Sequence, residues 1–196
     1  MKIKLVLSYT QMDINERANY FHEIHNAIGS FYEINQKNSI FNADQKKRCT
    51  RFVVEKLSLD KLIKCTVYIV PGTNIVFYDY LVFKTYANDD NYGMLYEYLV
   101  SLIDEVLKTY ATYEFHMNLK SYTVSACHRY YPLISSSFEA NEEKKQKLGK
   151  LIIYNTPSVV DQLKAILYRY IKDILPRTEF YYTESDDKIK QIMDLL

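Results

Sequence analysis

A chain of 196 residues that is 48% hydrophobic can bury one substantial core, which separates it from disordered and fibrous sequences. Its 25 basic and 24 acidic side chains leave a formal net charge of +1, too weak a field to argue for nucleic acid as a partner. Four glycines in the whole chain supply neither a glycine-rich phosphate loop nor a dinucleotide fingerprint, and three cysteines without CxxC or Cys/His spacing suggest neither a disulfide framework nor a zinc site.

Met1 to Ser8 alternates lysine with apolar residues and reads as a short edge strand or an arm. The apolar run at Leu5 to Leu7 is too short for a signal peptide, and no window approaches the length of a membrane span, so a soluble, cytoplasmic chain is expected. From Asp13 to Tyr32, Ala18, Phe21, Ile24, Ala27, Ile28 and Phe31 fit helical spacing, with Asp13 or Asn15 as cap. A second helix is predicted over Ala43 to Leu57. It carries Lys46, Lys47, Arg48 and Arg51, a basic cluster that is either a solvated face or the contact with an anionic membrane surface. These elements make residues 1–62 an N-terminal helical lobe.

The remainder, residues 63–196, alternates strands with helices. Lys64 to Val70 and Asn74 to Tyr86 are rich in Val, Ile, Tyr and Phe around the turn Pro71-Gly72-Thr73, which predicts a hairpin. Asn88 to Asn91 is a polar break before a helix built on Met94, Leu95, Tyr98, Leu102, Ile103 and Val106. Glu114 to Leu119 reads as a strand, Tyr122 to Phe138 as a helix with Pro132 inside it, and Asn141 to Lys150 as a charged loop. Leu151 to Tyr154 then has the β-branched, apolar character of a strand covered on both faces of a parallel sheet. Asn155 and Thr156 offer cap oxygens, Pro157 suits a first helical position, and Val159 to Leu175 repeats apolar residues at helical spacing until Pro176. A strand over Glu179 to Thr183 and a helix over Asp186 to Leu196 close the chain. The order predicts an α/β fold with a mainly parallel sheet and helices packed on it.

No arrangement of side chains demands an enzyme. His22 and His25 stand three apart beside Glu23 without a third ligand, Cys127 and His128 are helix neighbours pointing about 100° apart, and Ser135 to Ser137 form no nucleophile elbow. Neither a cofactor nor a metal is expected. The aromatic weight, 15% of the chain and all of it Tyr and Phe, suits core packing and equally suits a pocket for an elongated apolar ligand. The apolar stripe of 159–175 likewise reads as core or as the lid of a cavity, and periodicity does not choose. Twenty tyrosines with abundant Asn, Lys and Ile form the bias of an AT-rich genome, such as that of a protist or a large DNA virus.

Three stretches carry a resemblance to a known family. Phe115-His116-Met117-Asn118-Leu119-Lys120-Ser121 is similar to an apolar strand ending in Asp-Leu-Lys-Gly, Tyr130-Tyr131-Pro132-Leu133 to the helix after it, and Leu148-Gly149-Lys150-Leu151-Ile152-Ile153-Tyr154-Asn155-Thr156-Pro157 to a strand with an Asn-x-Pro turn. Together they make the region from about Cys65 onward resemble the CRAL-TRIO, or Sec14-like, lipid-binding domain. The resemblance implies a sheet flooring an apolar pocket, a gate helix over Ser158 to Leu175, and non-catalytic binding of a phospholipid or other hydrophobic molecule that is exchanged transiently at membranes. It places Leu163, Ile166, Leu167, Tyr170 and Ile171 on the gate and Phe115, Met117 and Ile153 on the floor as ligand contacts. The acidic residue of phosphoinositide-transfer members falls on Gln146 and their lysine after the gate on Thr178, so the resemblance does not extend to phosphatidylinositol recognition. The other expectation is a protein-interaction or structural module, for example viral, that keeps the fold with a filled pocket.

Overall fold

The computed structural model describes residues 12, 14–37, 42–140 and 142–182. Those within Met1–Thr66 and Val82–Tyr98 form one compact unit, and those within Val67–Leu81 and Leu99–Leu196 form a second.

The first unit is helical. Its elements are α1 (Ile14–Asn35), α2 (Asn42–Lys56) and α3 (Leu59–Thr66), with Val82–Tyr98 supplying the end of α4 (Tyr80–Tyr86) and the start of α5 (Tyr92–Leu107). Of the expected stripe Ile24, Ala27 and Phe31 are buried along α1 and Phe21 and Ile28 are half-buried, while Tyr20, outside that stripe, is buried with them. Asn15 falls inside α1. The helix α3 replaces the start of the strand expected from Lys64. Ser58 opens it, its carbonyl accepting from the Leu62 N–H at 3.0 Å, and Lys64 pairs with Asp60 one turn earlier at 2.9 Å. The unit extends past residue 62 and takes in 82–98 because Val82, Phe83 and Tyr86 are buried and the Tyr86 hydroxyl lies 2.8 Å from Thr66 Oγ1.

The second unit is built on a five-stranded sheet in the order β1 (Val67–Ile69), β2 (Ile75–Asp79), β3 (Tyr113–Asn118), β4 (Leu148–Tyr154), β5 (Thr178–Phe180). The hairpin β1–β2 is antiparallel and every other pair is parallel. Gly72, at φ 72°, makes the hairpin turn, a conformation that a side chain would strain. The strand expected to run to Tyr86 stops at Asp79 because its carboxylate accepts from the Leu81 N–H at 2.7 Å and opens α4. Between β3 and β4 lie α6 (Val124–Glu139), capped by Thr123 and containing Pro132, and the short α7 (Glu142–Lys147), which replaces most of the expected loop.

Between β4 and β5 the expected gate helix is shorter than its sequence pattern. Asn155 does not cap it but turns the chain at φ 50°, Val159 occupies the N-cap without a side-chain bond, and α8 covers only Val160–Ile171. A single 3₁₀ turn, Leu175–Arg177, follows. The last strand stops at Phe180, short of the expected end at Thr183, and the arm Met1–Ser8, the Asp13 cap, Thr183 and the helix expected over Asp186–Leu196 lie outside the described residues.

Candidate functional site: two faces of one sheet

Register divides the side chains of the second unit between two sheet faces, because partners directly opposite share a face and successive residues alternate. Tyr68, Phe77, His116 and Ile152 lie on one face, and Val76, Phe115 and Leu151 on the other.

The first face is a closed core. Tyr68, Val70, Phe77, Ile152 and Tyr154 pack as one buried cluster with Ile75 and Tyr181 against it. The rings form a stack across the strands: Tyr68 on Phe77 at 5.3 Å, Phe77 on Tyr154 at 6.4 Å, Tyr154 on Tyr181 at 5.8 Å. Set into it is His116, only 2% exposed. Its Nε2 lies 3.2 Å from Glu114 Oε2 and its Nδ1 2.9 Å from the Tyr154 hydroxyl. Burial lowers the histidine pKa below its usual value, and burial raises that of Tyr154. At the margin Lys150 pairs with Glu179 at 2.8 Å, and the Tyr181 hydroxyl donates to the same carboxylate at 2.7 Å. Sequence reasoning passed over His116. The signal was the spacing Glu114-x-His116 on a strand, which puts both side chains on one face.

The second face is apolar and less closed. Tyr78, Met117, Ile153 and Phe180 form a half-buried row across β2 to β5, with half-buried Ile69 and Phe115 on the same face, where Val67, Val76 and Leu151 are buried. Phe115 and Met117 belong to β3, the middle strand. The expected floor residues Phe115, Met117 and Ile153 are thus brought together, Met117 directly opposite Ile153. Helix α8 reaches the β5 end of this face, where Lys164 Nζ sits 4.3 Å from the centre of the Phe180 ring. Of the expected gate residues, Leu163 is buried, while Ile166, Leu167 and Ile171 are half-buried. Tyr170 packs against α6 instead: its ring lies 6.0 Å from both Phe138 and Tyr131, and its hydroxyl donates to Glu139 at 3.1 Å.

The basic cluster of α2 is partly neutralised in its own unit. Lys47 pairs with Asp89 at 3.3 Å, Arg51 with Asp90 at 3.2 Å, and Arg48 donates to Asn35 Oδ1 at 2.9 Å. Lys46 is exposed. Cys127 is fully buried, which pushes its thiol pKa up and works against a thiolate. Asp104, Leu107, Tyr110, Glu143, Lys144 and Lys147 line an open groove of about 300 Å³ crossed by the Lys144–Asp104 ion pair, a polar setting unlike the apolar sheet face. No group of three or more His, Cys, Asp or Glu side chains among the described residues is placed to hold a metal ion, and no described helix is long and apolar enough to cross a membrane.

Comparison of the chain with protein-family models, with curated proteins and with solved structures returns no match. The α/β fold with its mostly parallel sheet therefore stands on the chain's own geometry.

Proposed function

We propose that this protein is a non-catalytic carrier that binds one elongated apolar molecule of the lipid class against the second sheet face, as a divergent relative of the Sec14-like domains. The observation that carries the reading is the half-buried state of Phe115 and Met117 on the middle strand of the sheet. Side chains on an inner parallel strand are normally closed off by packing helices. Apolar groups left part-wet there gain about 0.8 kcal/mol for each methylene equivalent that a ligand removes from water. The half-buried row Tyr78, Met117, Ile153, Phe180 crosses four strands, and three interstrand spacings of about 4.8 Å give roughly 14 Å of apolar track, a length suited to an extended acyl chain rather than a compact solute.

The test is titration of the full chain with a fluorescent long-chain fatty acid. Saturable uptake at one molecule per chain, displaced by unlabelled phospholipid, supports the carrier; a signal that never saturates or that no lipid displaces overturns it. The interaction-module reading predicts that second result.

The α2 cluster is the proposed membrane contact, and the ion pairs at Lys47 and Arg51 limit what it can contribute. Replacing Lys46, Lys47, Arg48 and Arg51 together by glutamine is expected to weaken binding to phosphatidylserine vesicles by an order of magnitude or more at low salt, since a basic residue near such a surface contributes about 1 kcal/mol. An unchanged vesicle-binding curve removes the cluster from the docking surface.

A further inference from the structure

The partners of His116 assign its tautomer. The Glu114 carboxylate can only accept, so Nε2 carries the hydrogen, and the bare Nδ1 accepts from the Tyr154 hydroxyl. Both ring nitrogens are thus used by the neutral form. Tyr154 is the last residue of β4, and the chain leaves it directly for the junction with α8. At that junction the Leu119 N–H donates to the Tyr154 carbonyl at 3.0 Å, Asn155, in the left-handed region, donates to Asn118 Oδ1 at 3.0 Å, the Thr156 N–H donates to the Tyr181 carbonyl at 2.9 Å, Thr156 Oγ1 donates to the Ile153 carbonyl at 3.0 Å, and the Val160 N–H donates to the Pro157 carbonyl at 3.0 Å.

We propose that His116 is an acid-responsive anchor for the β4–α8 junction: a proton taken up at Nδ1 ends its role as acceptor, releases the Tyr154 hydroxyl and loosens the start of α8. Protonated imidazole has two N–H donors and no acceptor, so the Tyr154 oxygen has to accept and its own hydrogen has to find another partner. Tyr154 is 3% exposed, with Phe77 and Tyr181 stacked against it, and His116 is the group its hydroxyl bonds among the described residues. A hydroxyl left without an acceptor in such a place favours any conformation that returns it to water.

The charged and titratable groups facing His116 are Glu114 on its own strand, Lys150 and Tyr154 from β4, and Glu179 and Tyr181 next to them at β5; β2 contributes the apolar ring of Phe77. Burial and Lys150 oppose protonation, Glu114 and Glu179 favour it, and burial is the largest influence. The folded-state pKa is therefore below the unfolded value of about 6.5, so the closed junction has its full stability above that pH and loses it as the pH falls below it. Acid release of cargo near an anionic bilayer is a consequence that rests on the carrier reading; the switch itself does not require a ligand.

The experiment is hydrogen exchange of the ligand-free full chain at about pH 7 and about pH 5.5, corrected for the intrinsic pH dependence of exchange. Protection of residues 155–165 is expected to fall about tenfold in the wild type while that of β3 stays constant, a factor equal to one pKa unit. His116→Gln, which still donates and accepts but takes up no proton, is expected to show no such fall. Tyr154→Phe keeps the stacked ring, removes the hydroxyl, and is expected to reduce the fall several-fold, which keeps the proposal testable should His116→Gln not fold. An undiminished fall in whichever of these variants folds, no fall in the wild type, or a fall shared equally by β3 overturns the proposal.

Discussion

The double variant Phe115→Glu, Met117→Glu is expected to bind a long-chain lipid analogue at least a hundredfold more weakly than the wild type. Fully burying a Phe or Met side chain contributes about 1.5–3 kcal/mol, and each glutamate would in addition carry a carboxylate into the ligand's contact surface, where it loses hydration without gaining a partner. The two positions neighbour one another on one face of β3, so both changes fall on the same stretch of track. Because both side chains are only half-buried beforehand, the fold is expected to survive, with far-ultraviolet circular dichroism unchanged. Wild-type affinity in a folded double variant would place the ligand elsewhere. A folded variant that has lost binding, beside an Ile152→Val control on the first face that retains it, fixes the face.

Phe77→Ala is expected to be the most damaging single truncation on the sheet. Its ring is 3% exposed and stands in the stack between Tyr68 and Tyr154, so its removal opens a cavity that backbone ladders on both sides prevent from collapsing. Truncations of this type cost about 3–5 kcal/mol, a large share of the roughly 5–15 kcal/mol that holds a domain folded. At about 2–4 °C per kcal/mol for a chain of this size, the melting temperature should drop by about 6–20 °C in a calorimetric scan. A drop of about 2 °C or less would mean that the ring stack is not the packed centre of this face.

Regular periodicity was legible in the sequence where one face of an element meets a core. The stripe of α1, the run Leu151 to Tyr154 and the turn at Gly72 all follow from residue spacing and backbone sterics. What sequence reasoning missed depends on single hydrogen bonds that periodicity does not see. Tyr80–Tyr86 looks like the continuation of a strand, and only the Asp79 carboxylate on the Leu81 N–H makes it a helix. The same holds for α3, whose last residues, Lys64 to Thr66, read as the start of a strand but belong to a helix opened by Ser58 and braced by the Asp60–Lys64 pair. The Asn-x-Pro segment suggests a capped helix start, whereas Asn155 spends its side chain on Asn118 across the sheet and the helix begins later.

The candidate site divides in a similar way. Phe115, Met117 and Ile153 could be placed together because strand alternation and parallel register are simple rules. The position of Tyr170 could not, since its contact with Glu139 depends on how α6 and α8 meet. His116 was hidden inside an apolar strand run, where a polar residue attracts notice only once its partner Tyr154, far along the chain but on the adjacent strand β4, is seen.

The most direct measurement is native mass spectrometry, followed by lipid extraction, on the full chain purified from cells without detergent. The carrier account predicts a mass increment of one lipid per chain in the wild type, absent from the Phe115→Glu, Met117→Glu variant. A bare polypeptide that stays bare after incubation with mixed liposomes would contradict it and turn the half-buried sheet face into a surface for another protein.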